Sequence, residues 1–590
     1  MNMKNIYILL TVVAALAFTG MASAQNLDPT VVVDRAYEGK LMEVHKPALE
    51  MSVPDSVMRF DLDFDYSVFD RPYKGSYEFN PYLLSMKPSV SMDDAGRFYL
   101  RAGAGYQLRP ELDLVWSPKF RDDSFSLDVY ADHRSFIGNY NTVSAGDDYV
   151  INAMGDKWKG YDLASDAGVS MSYDWHNGKI LLDAGYYGLH QKDRLWKRGY
   201  NAADVSFEVA SKDTDISDFM YGLSADYRYG ADSSTGNAGD SDFIGENNLD
   251  VDLKMRMGLK KNSAVRVTAG MSLDGYTGYV ENVASDLYLT AGYVYRKGIL
   301  QADLGARLAA YIVDTTIAGF TVPAKNQYIY PDVNIRLNIF PEFLSMFANV
   351  TGGPKVNSYS SILAMNHHAE LSHPGIKMTV YPGQVDEKVD VFGWKMGVSV
   401  ERVAASAGFD GRIGKHFSYT LCGGYTDYAA GMLDAVYVVG LHGYGQSLVV
   451  PGLEYAPYRK AFATFRWMWM SERFSSEGGV TYTDAYGDAF DSGSLCLKPA
   501  ALTGDMSFMY NYRKRIYAGV NCDFSTLRTG GEGSVTIPGY ADLGVSLEYV
   551  TSRGMSFWIK GGNLLGMTIQ RNPAYALNDP YFTLGICLKL

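Results

Sequence analysis

The sequence predicts an all-β chain closed into a transmembrane antiparallel β-barrel of roughly 20–22 strands. Three observations carry this. Apolar and polar residues alternate over stretches of about ten residues; no run of about 18 apolar residues is available for a spanning helix; and tight basic turns alternate with longer polar loops.

The alternation is clean at Phe98–Leu108, where Phe98, Leu100, Ala102, Ala104, Tyr106 and Leu108 take every second place. It recurs at Phe125–Asp132, Leu249–Leu259, Arg515–Phe524 and Asp542–Tyr549, and again in the last residues, where Phe582, Leu584, Ile586, Leu588 and Leu590 share one face. A soluble sheet must cover such faces with another layer, and no amphipathic helix is present to do so. Lipid covers them in a membrane barrel, and lipid tolerates only helices or closed barrels. The composition agrees: 45 Tyr, 27 Phe and 8 Trp suit interfacial girdles, and 60 Gly suit turns and curved strands.

Tight turns are expected at Arg109-Pro110, Asn177-Gly178, Lys260-Lys261, Lys297-Gly298, Pro341-Glu342, Gly414-Lys415, Arg459-Lys460, Arg513-Lys514 and Arg553-Gly554. Asn-Gly is the strongest two-residue hairpin signal. Longer loops are expected at Gly230–Asn248, Gly353–Glu387 and Thr526–Pro538. Short periplasmic turns and long outer loops give the strand number above, and a lumen of that width needs a plug or forms a channel.

Residues 1–24 read as a cleaved secretory signal: Lys4, the short apolar run Ile6–Phe18, and Ala22-Ser23-Ala24 before Gln25. No cysteine follows the cleavage site, so a lipid anchor is not expected. Residues 25–95 read as an extended periplasmic or lumen segment with a possible first strand at 59–69, and residues 96–590 as the barrel. The expected location is the outer membrane of a Gram-negative cell, with lipid as the partner of the wall. Net charge is −13 with no basic stripe, which excludes nucleic acid as a partner. Cys422, Cys496, Cys522 and Cys587 lie in strand-like runs without ligand spacing and read as small strand residues.

Several segments resemble barrels of the TonB-dependent-receptor-like family. They are Tyr330-Pro331-Asp332 through Phe340-Pro341-Glu342-Phe343-Leu344, Val350–Gly353, Val356–Ser361, Glu387–Gly393, Ile537–Leu543 and Gly562–Leu565. The resemblance implies transport or ligand binding with partner proteins, among them TonB. Thr30, Val31, Val32 and Val33 resemble the short box that pairs with TonB, and edge pairing by β-branched residues suits that role; an ordinary extended segment fits them as well. Receptors of that family carry a plug of well over a hundred residues before the barrel. Barrel-like strands start here by Phe98, so a plug-less barrel is expected and energised uptake is in doubt.

Candidate chemistry is sparse. His367, His368, His373 and Glu370 form the one histidine cluster and supply donors for a divalent metal, although a surface cluster in an outer loop is the commoner origin of such a run. Asp232, Asp240, Asp242 and Glu246 lack a regular calcium spacing and read as a solvated loop. Gly239-Asp240-Ser241 has a hydrolase-like look but no paired base. No phosphate loop, zinc-protease helix or nucleophile elbow occurs, so neither catalytic residues nor a cofactor is expected. Arg97, Arg101, Asp128, Asp252, Lys254, Arg256 and Arg515 fall on polar strand faces; they either tune a lumen or pair across the wall. A transport or binding barrel leads, a structural or assembly scaffold is the alternative, and an outer-membrane enzyme comes third.

Overall fold

Strands of this sequence find their partners next door in the chain, because each alternating run is followed by a turn that reverses it. In the computed structural model, twenty-two antiparallel strands run from Phe98–Tyr106 to Tyr581–Lys589 and form one closed wall. The seam joins the two ends: Leu100 faces Leu588, Ala102 faces Ile586, and the backbone groups of Phe98 and Leu590 exchange two hydrogen bonds of 2.9 Å. Among the described residues, closure leaves every one of these wall strands paired on both sides.

The structure describes residues 97–590 except 121–123, 146–150, 193–195, 213–214, 237–240, 278–279, 318–319, 366, 368–374, 379–386, 391–396, 441–446, 491–495, 531–534, 552–553 and 574. All of them belong to the unit Ser56–Leu590. The expected signal, the 25–95 segment, the strand at 59–69 and the box at Thr30–Val33 lie outside the described residues.

Period two sorts the side chains. In Ser241–Lys260, Leu253, Met257 and Leu259 are exposed outward while Arg256 is buried inward. The neighbouring strand Ser263–Thr277 repeats this, with Met271 and Leu273 outward and Thr268 and Asp274 inward. Register keeps like faces together across strands, so the outside becomes a continuous apolar surface of the kind a transmembrane barrel presents. The inside is polar and cross-linked by ion pairs. Arg266 reaches Asp303 at 2.9 Å and Asp332 at 2.8 Å, and Arg336 reaches Asp410 at 2.6 Å.

One end of the wall carries tight turns. Gly298, Gly414 and Gly554 supply the positive φ these reversals need. At Arg513-Lys514 two non-glycine residues take it instead, and the Asn511 side chain accepts a 2.7 Å hydrogen bond from the Lys514 amide. Asn and basic residues therefore mark this turn end, as expected for most of the turns.

Three expectations need correction. Arg109-Pro110 joins Phe98–Tyr106 to Glu111–Trp116 at the opposite, loop end, because a tight turn does not encode which end it closes. Arg459-Lys460 lies inside the strand Ser447–Met470; Lys460 is buried, 5.8 Å over the Tyr428 ring, while Arg459 is exposed, so this basic pair straddles the wall mid-strand and is not a turn. Gly230–Asn248 is largely strand, since Met220–Gly236 and Ser241–Lys260 continue their pairing to Thr235 and Ser241. Asp232 and Glu246 are buried there with protein partners, which replaces their reading as a solvated loop.

Candidate functional site

At the loop end the chain turns inward and bridges strands far apart in the wall, and this crossing is the candidate functional site. It begins where the strand Leu344–Val356 runs out. Ser358 caps the helix Tyr359–Met365: its Oγ accepts from the Ser361 amide at 3.2 Å and its carbonyl accepts from the Ile362 amide at 3.0 Å. A helix of seven residues is marginal in isolation, so packing must hold it. Tyr359, Ile362 and Leu363 are at most 1% exposed.

The polar contacts of this helix reach both sides of the lumen. Just before it, Asn357 Nδ2 donates to Ser399 Oγ at 2.8 Å and to Tyr455 Oη at 3.1 Å, on the strands Val398–Ile413 and Ser447–Met470. Tyr359 Oη donates to Asp232, which also receives Arg198 Nε at 2.9 Å. The amide and hydroxyl of Ser360 donate to Glu246 Oε1 at 2.9 and 3.0 Å, and Tyr200 Oη donates to Oε2 at 2.6 Å. Beyond the helix, Arg198 Nη1 donates to the His367 carbonyl at 2.9 Å, and His367 Nδ1 donates to Asp162 Oδ2 at 3.1 Å. These partners come from Ile151–Trp175, Trp196–Ser211, Met220–Gly236 and Ser241–Lys260, far around the wall from Tyr455.

Electrostatics reinforce the attachment. Arg198 and Asp232 are a desolvated pair, with side chains 2% and 1% exposed, and removing one partner of such a pair costs about 3–5 kcal/mol. For His367, burial by itself lowers the imidazole pKa. The Asp162 carboxylate more than reverses this by charge and hydrogen bond, so the ring keeps its proton above the ordinary value of 6.5.

The other half of the crossing is apolar. Val143 and Val436, on the wall strands Phe125–Ala145 and Phe417–Gly440, share one buried cluster with Leu497, Val535, Ile537 and Ala576 from the long connections. Beside it, Tyr428 and Tyr458 stack at 4.5 Å and pack with Leu433, Phe490 and Cys496. Arg528 pairs with Asp434 at 2.9 Å, and Arg571 with Asp523 at 2.5 Å. Cys422, Cys496 and Cys587 are buried and Cys522 is half-buried.

His367 belongs to this latch through Asp162 and Arg198; His368, Glu370 and His373 lie outside the described residues, as does Asp240. No group of three or more metal-ligating side chains occurs among the described residues. Of the lumen candidates, Arg101 is buried 4.3 Å over Trp558, Arg256 is buried, and Asp252 accepts from Tyr288 Oη. Lys254 is exposed on the same face and Asp128 is half-buried. Arg97 precedes the first strand and Arg515 sits in a turn, both exposed at the turn end. Sequence reasoning passed over Asp162, Arg198, Tyr200 and Tyr359. The inward parity of Arg198 and Tyr200 in one strand, and the capping serine at Ser358, were the available signals.

No family model matches the chain, and no curated protein matches it. Solved structures do share its fold. The siderophore receptor PiuA from Acinetobacter baumannii aligns with a TM-score of 0.58 at 9% identity, covering 84% of this chain and 82% of that one. The copper transporter OprC gives 0.59 at 9%, covering 84% and 81%. The hemophore receptor HasR of Serratia marcescens, solved with its hemophore HasA and heme, gives 0.58 at 12%, covering 84% and 80%. At these identities the likeness is one of fold.

Proposed function

We propose that the chain is an outer-membrane, TonB-dependent-receptor-like barrel for transport or ligand binding. In this reading it works with partner proteins and is closed at its outer end by its own loops, without a full plug. The observation that supports it best is the polar crossing by Asn357–His367 inside a wall whose exterior is apolar. A rigid wall with a small, separately attached closure is the architecture of a gated passage. The proteins that share the fold are described as receptors and transporters for a siderophore, copper, iron and a heme-carrying hemophore, in keeping with transport and not with enzymatic turnover. The turn end then faces the periplasm, where Thr30–Val33 would meet TonB.

The test is conductance in planar bilayers. The full-length protein should conduct little, and a variant with Tyr359–Met365 replaced by a Gly-Ser stretch should conduct several-fold more while keeping heat-modifiable gel mobility. Equal conductance of the two would overturn the reading. Tight co-purifying partners together with an impermeable variant would instead favour a scaffold.

A further inference from the structure

We propose that the crossing helix is held by a proton shared between Asp274 and Glu246, so that its docking is a pH-sensitive latch. The proposal rests on the reading of Asn357–His367 as the closure. Both carboxyl groups are fully buried, at 0% exposure. In the sheet register Asp274 lies opposite Asn248, which places it diagonally next to Glu246 across the Ser241–Lys260 and Ser263–Thr277 pair. Their surroundings differ in kind. Glu246 accepts three hydrogen bonds, from Tyr200 and twice from Ser360, which is the environment of an ionised carboxylate. Neither Asp274 oxygen has a donor in hydrogen-bond geometry; its polar neighbours are Glu246 and the Tyr359 amide. Two buried carboxylates side by side cannot both ionise. Asp274 is therefore the acid that carries the proton, and Glu246 is its acceptor.

The other charges around the pair do not remove this need. From the strand side, Asp250 adds a third carboxylate, which Lys355 counters, and Asp286, buried and diagonal to Asp274 across the Ser263–Thr277 and Val280–Lys297 pair, adds a fourth. Arg198 is taken up by Asp232, and Arg228 lies beside Tyr200 and Asp204. Across the lumen, Tyr455 contributes only a neutral phenol. From the crossing segment, Tyr359 is neutral and His367 is spent on Asp162. When the helix lifts away, water reaches both acids and Asp274 releases its proton. Docking thus takes up a proton, so it weakens by up to tenfold per pH unit between the acid's ordinary value and its docked value and levels off above the latter. The one bond that breaks is the Asp274 O–H, whose electron pair stays on the carboxylate while the proton passes to solvent water.

The test is amide hydrogen exchange of Tyr359–Met365 in the full-length protein from pH 6 to 9, corrected for intrinsic exchange. Wild type should lose protection steeply as pH rises, and Asp274→Asn, a neutral isostere of the protonated acid, should flatten the slope. Flat wild-type protection, or a wild-type slope in a folded Asp274→Asn protein, overturns the proposal, and so does loss of protection on adding a chelator, which would place a cation between the acids. Because His367 also responds to pH in this range, both series are run in a His367→Gln background, and the series with Asp274 intact stands alone if the Asp274 variant does not fold. Because exchange reads docking and not permeation, a failed conductance test leaves this result interpretable.

Discussion

Arg198 lies 2.9 Å from Asp232 and, through a second nitrogen, 2.9 Å from the carbonyl of His367, so one guanidinium ties two wall strands and the crossing segment together. The pair is buried and the segment it holds is short, which makes the closure separable from the wall.

Arg198→Ala should therefore release the segment without melting the barrel. The stranded Asp232 costs about 3–5 kcal/mol, enough to undock a helix that cannot stand alone. Limited proteolysis should cut near Tyr359–His367 in the variant and spare wild type, with heat-modifiable mobility kept in both. The double variant Arg198→Met, Asp232→Leu should be cut less than the single one, since no buried charge is left unpaired.

Ser358→Ala removes the helix cap and should weaken docking by about 0.5–2 kcal/mol, whereas Ser358→Asp should preserve it. Hydrogen exchange of the Ser361 and Ile362 amides separates the two variants.

His367 adds its own pH dependence. Its value is raised when docked, so its contribution is fully present below about 6.5 and fades as pH rises through the docked value. His367→Gln should flatten that part of a protease-sensitivity profile measured between pH 5.5 and 8.5; an unchanged profile would show the imidazole to be inert.

Leu497→Ala opens a cavity in the apolar half of the closure, where such truncations cost about 2–5 kcal/mol. Faster cleavage within 487–501 at unchanged wall stability is the expected result.

The seam offers a test of the wall itself. A Cβ on Gly105 would stand 1.8 Å from the Phe582 carbonyl oxygen, across the pairing of first and last strands. Gly105→Val should abolish heat-modifiable mobility, since neither backbone can yield without opening the ladder.

The wall was legible because its rule is local. Leu253, Met257 and Leu259 face out and Asp252 and Arg256 face in, as their alternation implied. Lys297-Gly298 closes its hairpin as its turn chemistry dictates, whereas at Asn177-Gly178 the glycine already pairs with Trp175 and the two-residue loop is His176-Asn177. Arg459-Lys460 misled because a buried lysine beside an arginine in a strand has the same composition as a basic turn. The closure was not legible, because its bonds ignore sequence distance: Tyr359 meets Asp232 across 127 residues and Ser360 meets Glu246 across 114. No periodicity announces such pairs. Their acids sit in Gly- and Ser-rich strand ends that look like solvated loops.

The paired backbones of Phe98 and Leu590 have one more consequence, for how the chain is made. The contact that completes the ring joins its first and last wall strands, so every shorter nascent chain carries two raw strand edges that hydrocarbon cannot solvate. Membrane insertion must then wait for the C-terminus, and a chain cut short anywhere in the wall has no partially inserted form to fall back on.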